Sequence, residues 1–326
     1  MKTWNILIAE SQDYSRTAYQ ILCKLGRVTE KNLTQEELPA YLSTCEILIV
    51  RLGLKITKEV INAAPNLQYI ASATTGTDHI DVQAAARKGI EIVCLKGETD
   101  FLENIPSTAE HTWGLLLSLL RHIPQANEHV RNGGWDRQKF RGNNLSGKKL
   151  GILGLGRVGR QVARYALAFG CEVAAFDPNI EYWPNNKISQ FQSPTDLLRW
   201  CDILCIHIPL NKQTHQFLNK NILSQIKRGA LVINTSRSGV WDEVGLVELL
   251  ESDKIAGVAT DVVLNEQDAT IRSQGPLLQY ARHHDNIIIT PHIAGATFES
   301  MERTEIFIAE RLTKLIRHAL KGNCSK

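Results

Sequence analysis

The 326-residue sequence has little of what marks a disulfide-bonded or metal-binding protein. Its seven cysteines are odd in number and scattered along the chain. The closest pair, Cys201 and Cys205, has neither CxxC spacing nor histidines placed to complete a zinc site. We therefore expect reduced, mostly buried thiols and no metal.

Long apolar runs and an excess of one charge are also missing. No stretch reaches the roughly 18 apolar residues that a membrane span requires, and the apolar run in MKTWNILIAE is too short for a signal peptide. Lys and Arg number 37 against 34 Asp and Glu, with the signs interspersed, so we expect no basic surface for a phosphate backbone. These absences predict a cytoplasmic protein that binds neither membranes nor nucleic acids.

What is present is the alternation of short apolar runs with amphipathic segments. This pattern predicts βα units around a mainly parallel sheet, and the length fits two domains. Four candidate strands fall in the first hundred residues: NILIAE, CEILIVR, LQYIAS and IEIVCL. Six more follow: KLGILGLG, CEVAAFD, CDILCIHI, ALVINTS, IAGVATDVV and NIIITPH.

Two helical segments set the expected domain organisation. The apolar segment 108–121, preceded by Pro106, predicts a helix that connects two domains. The amphipathic segment 300–322 predicts a terminal helix that packs back on the first domain. We therefore expect an α/β protein with two doubly wound parallel-sheet domains and a cleft between them. One domain would comprise residues 1–104 and 294–326, and the other residues 105–293.

The second series opens with a glycine motif. In KKLGILGLGRVGR, Gly154, Gly156 and Gly159 have GxGxxG spacing between an apolar strand and a helical pattern, and Asp177 ends the next strand 18 residues later. This context is typical of the Rossmann dinucleotide site, with a tight turn, a helix N-terminus for the pyrophosphate and a carboxylate for the ribose. Asp177 repels a 2′-phosphate, which favours NAD over NADP. The alternatives are a purely structural glycine turn and a surface Asp that opens a turn before Pro178.

Three polar groups follow later strands of the same series: Arg237 in NTSRSG, Glu266 in DVVLNEQ and His292 in TPHIAGAT. Taken singly, each has an equally good alternative interpretation without a function. Arg237 would be a solvated loop charge, Glu266 an acid in a polar loop, and His292 a histidine under a turn. Together they stand where open α/β sheets bind ligands, and they suit hydride transfer between a nicotinamide and a 2-hydroxy acid. Histidine would transfer the hydroxyl proton, arginine would grip the carboxylate, and glutamate would orient the ring and favour the imidazolium.

These motifs resemble the D-isomer-specific 2-hydroxyacid dehydrogenase family over nearly the whole chain. GLGRVG, the HIP of residues 207–209, NTSRSG, DVVLNEQ and TPHIAGAT have the family's order and spacing. IPQA, GGWDR and LSGKKLGILGLGRVG are most similar to short phosphoglycerate dehydrogenases and hydroxypyruvate or glyoxylate reductases. The resemblance implies an NAD-dependent homodimer that interconverts a D-2-hydroxy acid and its 2-keto acid. Candidate substrates are 3-phosphoglycerate or phosphohydroxypyruvate, hydroxypyruvate and glyoxylate.

The resemblance also implies roles for individual residues. Arg237, Glu266 and His292 would be catalytic, and Asp261 would contact the nicotinamide carboxamide. VRLGLKIT and ATTGTDHID are similar to the family's substrate loops, so that Arg51, Gly76 and Thr77 would bind the substrate carboxylate or phosphate, with backbone amides contributing. The cofactor site would comprise Gly154, Gly156, Arg157, Val158, Gly159, Asp177, His207, Pro209, Thr214, Thr235, Asp261 and Thr108.

Several features depart from the family. Gln267 stands where proline is usual, Ser238 where glycine is usual, and Ser72 where phosphoglycerate dehydrogenases often carry an arginine; residues 96–105 form a longer loop. Ser72 weakens the expectation of a phosphorylated substrate. The helix with Trp113 is compatible with a dimer contact and equally with a core position. The alternative function is that of a non-catalytic NAD(H)-sensing, corepressor-like binding protein, because corepressors of the family keep the fold and the triad.

Overall fold

The structure, a computed structural model, describes residues 2–180, 183 and 186–323, with side chains of the last helix described as far as residue 319. The chain divides into two compact units. The first comprises Met1–Asn104 and Thr297–Lys326, and the second Ile105–Ala296. Both are built on parallel sheets with helices between the strands, so the predicted α/β class with two parallel-sheet domains is confirmed.

The first unit holds a five-stranded parallel sheet in the order β2-β1-β3-β4-β5, the flavodoxin-like order. Its central strands are buried along their whole length, which their continuous apolar sequences ILIV and YIAS dictate. The strands are β1 (Trp4–Ile8), β2 (Gly26–Glu30), β3 (Ile47–Val50), β4 (Tyr69–Ser72) and β5 (Glu91–Val93). The helices are α1 (Arg16–Cys23), α2 (Lys58–Asn62), α3 (Val82–Arg87), α4 (Thr99–Leu102) and the terminal Phe298–Asn323; Leu38–Tyr41 forms a 3₁₀ turn.

The second unit holds a seven-stranded parallel sheet in the order β12-β11-β10-β9-β6-β7-β8. The order reverses between β6 and β9, the switch point where doubly wound sheets bind ligands. Its strands are β6 (Lys149–Leu153), β7 (Glu172–Phe176), β8 (Ile188–Gln190), β9 (Ile203–Ile206), β10 (Ala230–Asn234), β11 (Ile255–Thr260) and β12 (Ile287–Ile289). Its helices are α5 (Ser107–Leu120), α6 (Ile123–Arg131), α7 (Arg157–Ala168), α8 (Pro194–Trp200), α9 (Lys220–Leu223), α10 (Glu243–Glu251), α11 (Ala269–Ser273) and α12 (Pro276–Ala281); Ser238–Val240 forms a 3₁₀ turn, and the terminal helix is α13.

The ten predicted strands are confirmed, and the structure adds two at sheet edges. Among the described residues, β2 (GRVTE) pairs with β1 alone and β8 (ISQ) with β7 alone. Most residues of these two strands keep some exposure. The sequence analysis missed both, because an edge strand needs no continuous apolar run.

Trp113 decides between the two interpretations of α5. The indole is 8% exposed and packs edge to face on Tyr165 and Phe169, with ring centroids 6.0 and 5.0 Å apart. Leu116 and its apolar neighbours on the same helix join the core beneath the sheet. The helix therefore belongs to the core of the second unit.

The described residues contain neither a membrane-spanning helix nor a cluster of metal-binding side chains. No helix there combines the length and apolar character needed to cross a membrane. Nor do three or more His, Cys, Asp or Glu side chains cluster there as a metal site would require.

Candidate active site

The carboxyl ends of six strands in the second unit lie side by side in one row. Register pairs join the strand-end residues across the sheet. The candidate residues of this unit that follow a strand are on the loops that begin directly after this row. The row consists of Phe176, Leu153, Ile206, Asn234, Thr260 and Ile289.

The glycine motif forms the turn between β6 and α7. Gly154 has φ +91°, and a Cβ there would approach the His207 carbonyl oxygen to 2.7 Å. A Cβ on Gly159 would lie 2.2 Å from the Gly154 oxygen, so both positions exclude a side chain. At Gly156, the N-cap of α7, a Cβ would meet open space. The start of a twelve-residue helix is thus open to a ligand, and its dipole favours an anion there.

Asp177 lies against this turn. Its Oδ2 accepts a hydrogen bond from Leu155 N at 2.9 Å, and its Oδ1 accepts one from Asn179 N at 3.0 Å. The second bond is the turn expected of an Asp before proline, and the first fixes the carboxylate beside the glycine loop. The two interpretations of Asp177 are therefore compatible.

His207 follows β9 and meets the glycine turn from the other side. Its Nε2 is buried and has no hydrogen-bond partner among the described residues. Burial, and to a smaller extent the charge of Arg157, lower the pKa of His207 to about 3, so the ring is neutral at physiological pH. The Arg157 guanidinium donates to Ile105 O at 2.8 Å. A neutral imidazole with an unused nitrogen fits a site that receives a polar ligand.

The predicted threonines hold their own loops together. Thr214 Oγ1 donates to Pro209 O at 2.6 Å and closes the loop after β9. Thr235, 7% exposed, lies 2.7 Å from Thr112 Oγ1, which donates to Thr108 O at 2.7 Å. These hydroxyls shape the loops that follow β9 and β10 and tie the second loop to α5.

His292 and Glu266 are in direct contact. His292 Nδ1 donates to Glu266 Oε1 at 2.7 Å, and the side chains are 20% and 30% exposed. His292 and Asn265 both adopt the left-handed region, with φ +55° at each. Such strain in residues other than glycine is concentrated at functional sites. The bond at Nδ1 fixes the ring and leaves Nε2 to exchange a proton with a ligand.

A buried carboxylate holds the loop that carries His292. Asp261, 1% exposed, accepts hydrogen bonds from Ile293 N at 2.9 Å, Ala294 N at 2.7 Å and Thr290 Oγ1 at 2.6 Å. Burial raises the pKa of Asp261, but bonds from His111, Thr290, Ala294 and Ile293 outweigh it and leave the pKa below its usual value. The carboxylate is therefore ionised and committed to this loop.

Sequence reasoning missed His111, which completes this network from α5. Its Nε2 lies 2.9 Å from Thr290 Oγ1 and 3.3 Å from Asp261 Oδ1. The only sequence signal is a polar residue on an apolar helix, which by itself marks no site.

Arg237 lies on the loop after β10, and Asn234 shapes that loop. Asn234 is fully buried; its Nδ2 donates to Arg237 O at 3.1 Å, and its Oδ1 accepts from Ser236 N at 2.9 Å. Arg237 Nη1 donates to Ser236 O at 2.8 Å. Because β10, β11 and β12 are neighbours, Arg237 leaves the sheet at the same edge as Glu266 and His292.

The candidate substrate residues of the first unit are engaged within that unit. Arg51 Nε and Nη2 donate to Glu305 Oε1 at 2.9 and 2.6 Å, and Nη1 donates to Gln12 O at 2.6 Å. The carboxylate of Glu10 accepts from Arg51 N at 2.5 Å and Gly53 N at 2.8 Å. The Arg51 charge is therefore balanced by a Glu305 side chain that is 3% exposed.

The second candidate loop, which carries Gly76 and Thr77, is closed by short-range bonds. Thr74 Oγ1 donates to Gly76 O at 2.8 Å, and Ile80 N donates to Thr77 O at 2.9 Å. Ser72 is fully buried, with its hydroxyl 2.9 Å from Thr74 Oγ1. Ser72, which replaces the arginine found in many phosphoglycerate dehydrogenases, therefore contacts this loop through its hydroxyl.

Comparisons with known proteins match the chain along most of its length. D-3-phosphoglycerate dehydrogenase of Rattus norvegicus is 39% identical over 292 residues, which cover 89% of this chain and 52% of the rat protein. The chain thus spans about half the length of this relative. Hydroxypyruvate reductase of Thermotoga maritima is 34% identical over 288 residues, covering 88% of this chain and 90% of that protein.

A solved structure gives the same likeness. The D-lactate dehydrogenase of Aquifex aeolicus, complexed with NAD and lactic acid, superposes with a TM-score of 0.83 at 26% identity, covering 97% of this chain and 96% of the other. Residues 113–294 match the family described as D-isomer specific 2-hydroxyacid dehydrogenase, NAD binding domain. That match covers more than half of the chain and contains the whole strand-end row. The chain belongs to the D-isomer specific 2-hydroxyacid dehydrogenase family, and its cofactor is NAD.

Proposed function

We propose that this protein interconverts a D-2-hydroxy acid and its 2-keto acid. The 2.7 Å contact between His292 and Glu266 is the observation on which the proposal rests. Both residues are on loops that follow strands of the row, at the same edge of the sheet as the glycine turn and Arg237. An oriented imidazole, a carboxylate that balances its charge and a cation make up the set that this chemistry needs.

In the direction of reduction, the hydride that adds to the carbonyl carbon would come from bound NADH. His292 donates its Nε2 proton to the carbonyl oxygen, and Glu266 stabilises the imidazolium through Nδ1 until the proton leaves. Arg237 binds the substrate carboxylate through its planar fork of donors.

The cofactor is held by the glycine turn and its neighbours. The backbone of Gly154, Gly156 and Gly159 and the first turn of α7, with Arg157 and Val158, would receive the pyrophosphate. Asp177 would accept hydrogen bonds from the ribose hydroxyls. Four further predicted cofactor residues, His207, Pro209, Thr214 and Thr235, stand on the loops after β9 and β10 and would border this space. Thr108 stands at the start of α5 and is joined to Thr235 through the Thr112 hydroxyl.

Asp261 and His111 have a supporting role in this mechanism. Their network with Thr290 holds the backbone on either side of His292, and so maintains the left-handed conformation that aims the ring. A contact between Asp261 and the nicotinamide carboxamide stays a prediction beside this role.

For the substrate, we propose a small 2-keto acid such as hydroxypyruvate or glyoxylate ahead of a phosphorylated one. Ser72 is neutral and buried, and the Arg51 charge is balanced by Glu305, so neither favours a phosphate. Carboxylate binding through the loops of Arg51, Gly76 and Thr77 stays part of the proposal. The proposal also includes a cytoplasmic location and, as the family resemblance implies, a homodimer.

The function is tested by incubating the protein with NADH and glyoxylate, hydroxypyruvate or phosphohydroxypyruvate while following the absorbance of the reduced cofactor. We expect turnover, fastest with an unphosphorylated acid. Absence of turnover with every member of the panel would contradict the proposal. Tight NADH binding without turnover, together with capture of a peptide or protein partner, would favour the corepressor-like alternative.

Replacing Asp177 with alanine should relax the preference for NADH. Removing a carboxylate that repels the 2′-phosphate should raise the ratio of kcat/KM for NADPH to that for NADH by about 10-fold or more, because like-charge juxtaposition costs several kcal/mol. The ratio is measured with one ketoacid and both cofactors. Asp196→Ala on exposed α8 is the control, and an unchanged ratio in Asp177→Ala would exclude the carboxylate from the ribose site.

A further inference from the structure

Glu243 is a buried carboxyl that the proposed reaction does not use. It is the first residue of α10 and is 2% exposed. Asp242 caps that helix by accepting from Val244 N and Gly245 N, so the helix start does not depend on Glu243. No ion pair within the described part of the chain includes Glu243. A buried carboxyl without a cation lowers stability, so its presence requires a compensating contact.

That contact is with the loop that carries Glu266. Glu243 Oε1 accepts a hydrogen bond from Leu264 N at 2.8 Å, and the Trp241 indole lies beside the same carboxyl. Burial raises the pKa of Glu243 to about 7, although the hydrogen bond from Leu264 N and the neighbouring Trp241 indole oppose the rise. A carboxyl keeps an oxygen that accepts the Leu264 N–H in either protonation state.

The other end of the same short segment is held by Arg272, whose Nη1 donates to Glu266 O. Between the two bonds lies Asn265, which is exposed and has φ +55°. Asparagine enters the left-handed region more readily than most residues, but that region is still less favourable for it than the right-handed one. Asn265 is exposed, so packing does not fix it; the turn bond from Asp268 N to its carbonyl oxygen and the hydrogen bonds on its two sides hold this conformation.

We propose that Glu243 is a positioning residue that sets the contact between Glu266 and His292 by anchoring the Leu264 amide. The inference rests on the proposed function, in which that contact orients the proton donor. Without the anchor, Asn265 relaxes towards an unstrained conformation and Glu266 withdraws from His292. Misplacement of a catalytic group by about 1 Å can cost on the order of 10²-fold in rate.

The test compares Glu243→Leu, which keeps the bulk but removes the acceptor, with Glu243→Gln, which keeps an acceptor oxygen. With NADH and the best ketoacid, we expect Glu243→Leu to lower kcat by about 10-fold and to leave KM for NADH within about 2-fold, since the cofactor turn is untouched. Glu243→Gln should retain kcat within about 2-fold, because its amide oxygen accepts the Leu264 N–H.

Thermal stability separates positioning from general damage. The wild-type carboxyl is charged above about pH 7 without a cation, so Glu243→Leu should not lower Tm at pH 8 even though it lowers kcat. Leu249→Ala, a 7% exposed core position on the same helix, is the matched control. It should lower Tm while leaving kcat unchanged.

Amide hydrogen exchange of residues 262–268 provides a readout that does not depend on activity. Glu243→Leu should exchange about 10-fold faster than wild type there, as a lost anchor permits local opening, and Glu243→Gln should not. Wild-type kcat in Glu243→Leu, equal losses in both variants, or the same kcat loss in Leu249→Ala would overturn the inference. An inactive wild-type protein would defeat the proposed function, and unchanged exchange in Glu243→Leu would then defeat the inference separately.

Discussion

Replacing His292 with alanine should lower kcat for ketoacid reduction by about 10²- to 10⁴-fold, the usual contribution of a positioned general acid. The imidazole is held by Glu266 at 2.7 Å and by the loop that Asp261 fixes, so the alanine variant loses a positioned proton donor. The measurement is steady-state kinetics with NADH and the best ketoacid. NADH affinity, followed by cofactor fluorescence, should change little, because the glycine turn lies on other strands.

The control for this variant is His283→Ala, an exposed histidine just beyond α12. It should keep wild-type kcat. A His292→Ala protein with unimpaired turnover would sink the assignment of His292 as the proton donor, whatever its effect on stability.

Replacing Arg237 with alanine should lower kcat/KM for the ketoacid by about 10²- to 10³-fold. Removing one partner of a desolvated charge pair costs about 2–5 kcal/mol, and about 1.4 kcal/mol corresponds to a factor of ten. Arg237→Lys should recover only part of the loss, since an ammonium cannot bind a carboxylate bidentately. Arg228→Ala, an exposed position just before β10, should behave as wild type.

The Arg237 variants are diagnosed by which kinetic parameter changes, ketoacid binding or cofactor binding. We expect KM for the ketoacid to rise while NADH binding is retained. Equal weakening of ketoacid and cofactor binding would show that Arg237 maintains the loop structure and does not bind substrate. Wild-type kinetics would show that it has no role in the site.

The parallel-sheet class was predictable because buried strands such as ILIV are continuous apolar runs separated by amphipathic segments. The edge strands GRVTE and ISQ were not predictable in this way, because their polar residues are tolerated at an edge with one neighbour. The glycine turn was predictable from spacing, and the structure supplies the steric reason at Gly154 and Gly159.

For the site, residue type and position after a strand indicated Glu266 and His292, which the structure brings into contact. The family resemblance implied a substrate role for Arg51, which stays a prediction. What the sequence did not indicate is that its guanidinium pairs with Glu305, 254 residues away. His111 and Glu243 could not be identified from the sequence, since a polar residue on a largely apolar helix does not by itself mark a site.

By itself, the sequence determined the α/β class, the position of the glycine turn and the order of the polar groups after the strands. These features depend on local periodicity and on the chemistry of single residues. Only the tertiary structure decided which groups bond to one another, as in the pairing of Arg51 with Glu305 and of Glu243 with the Leu264 amide. Hydrogen bonds and ion pairs form between atoms about 3 Å apart, and the distance between residues remote in sequence exists only once the chain has folded.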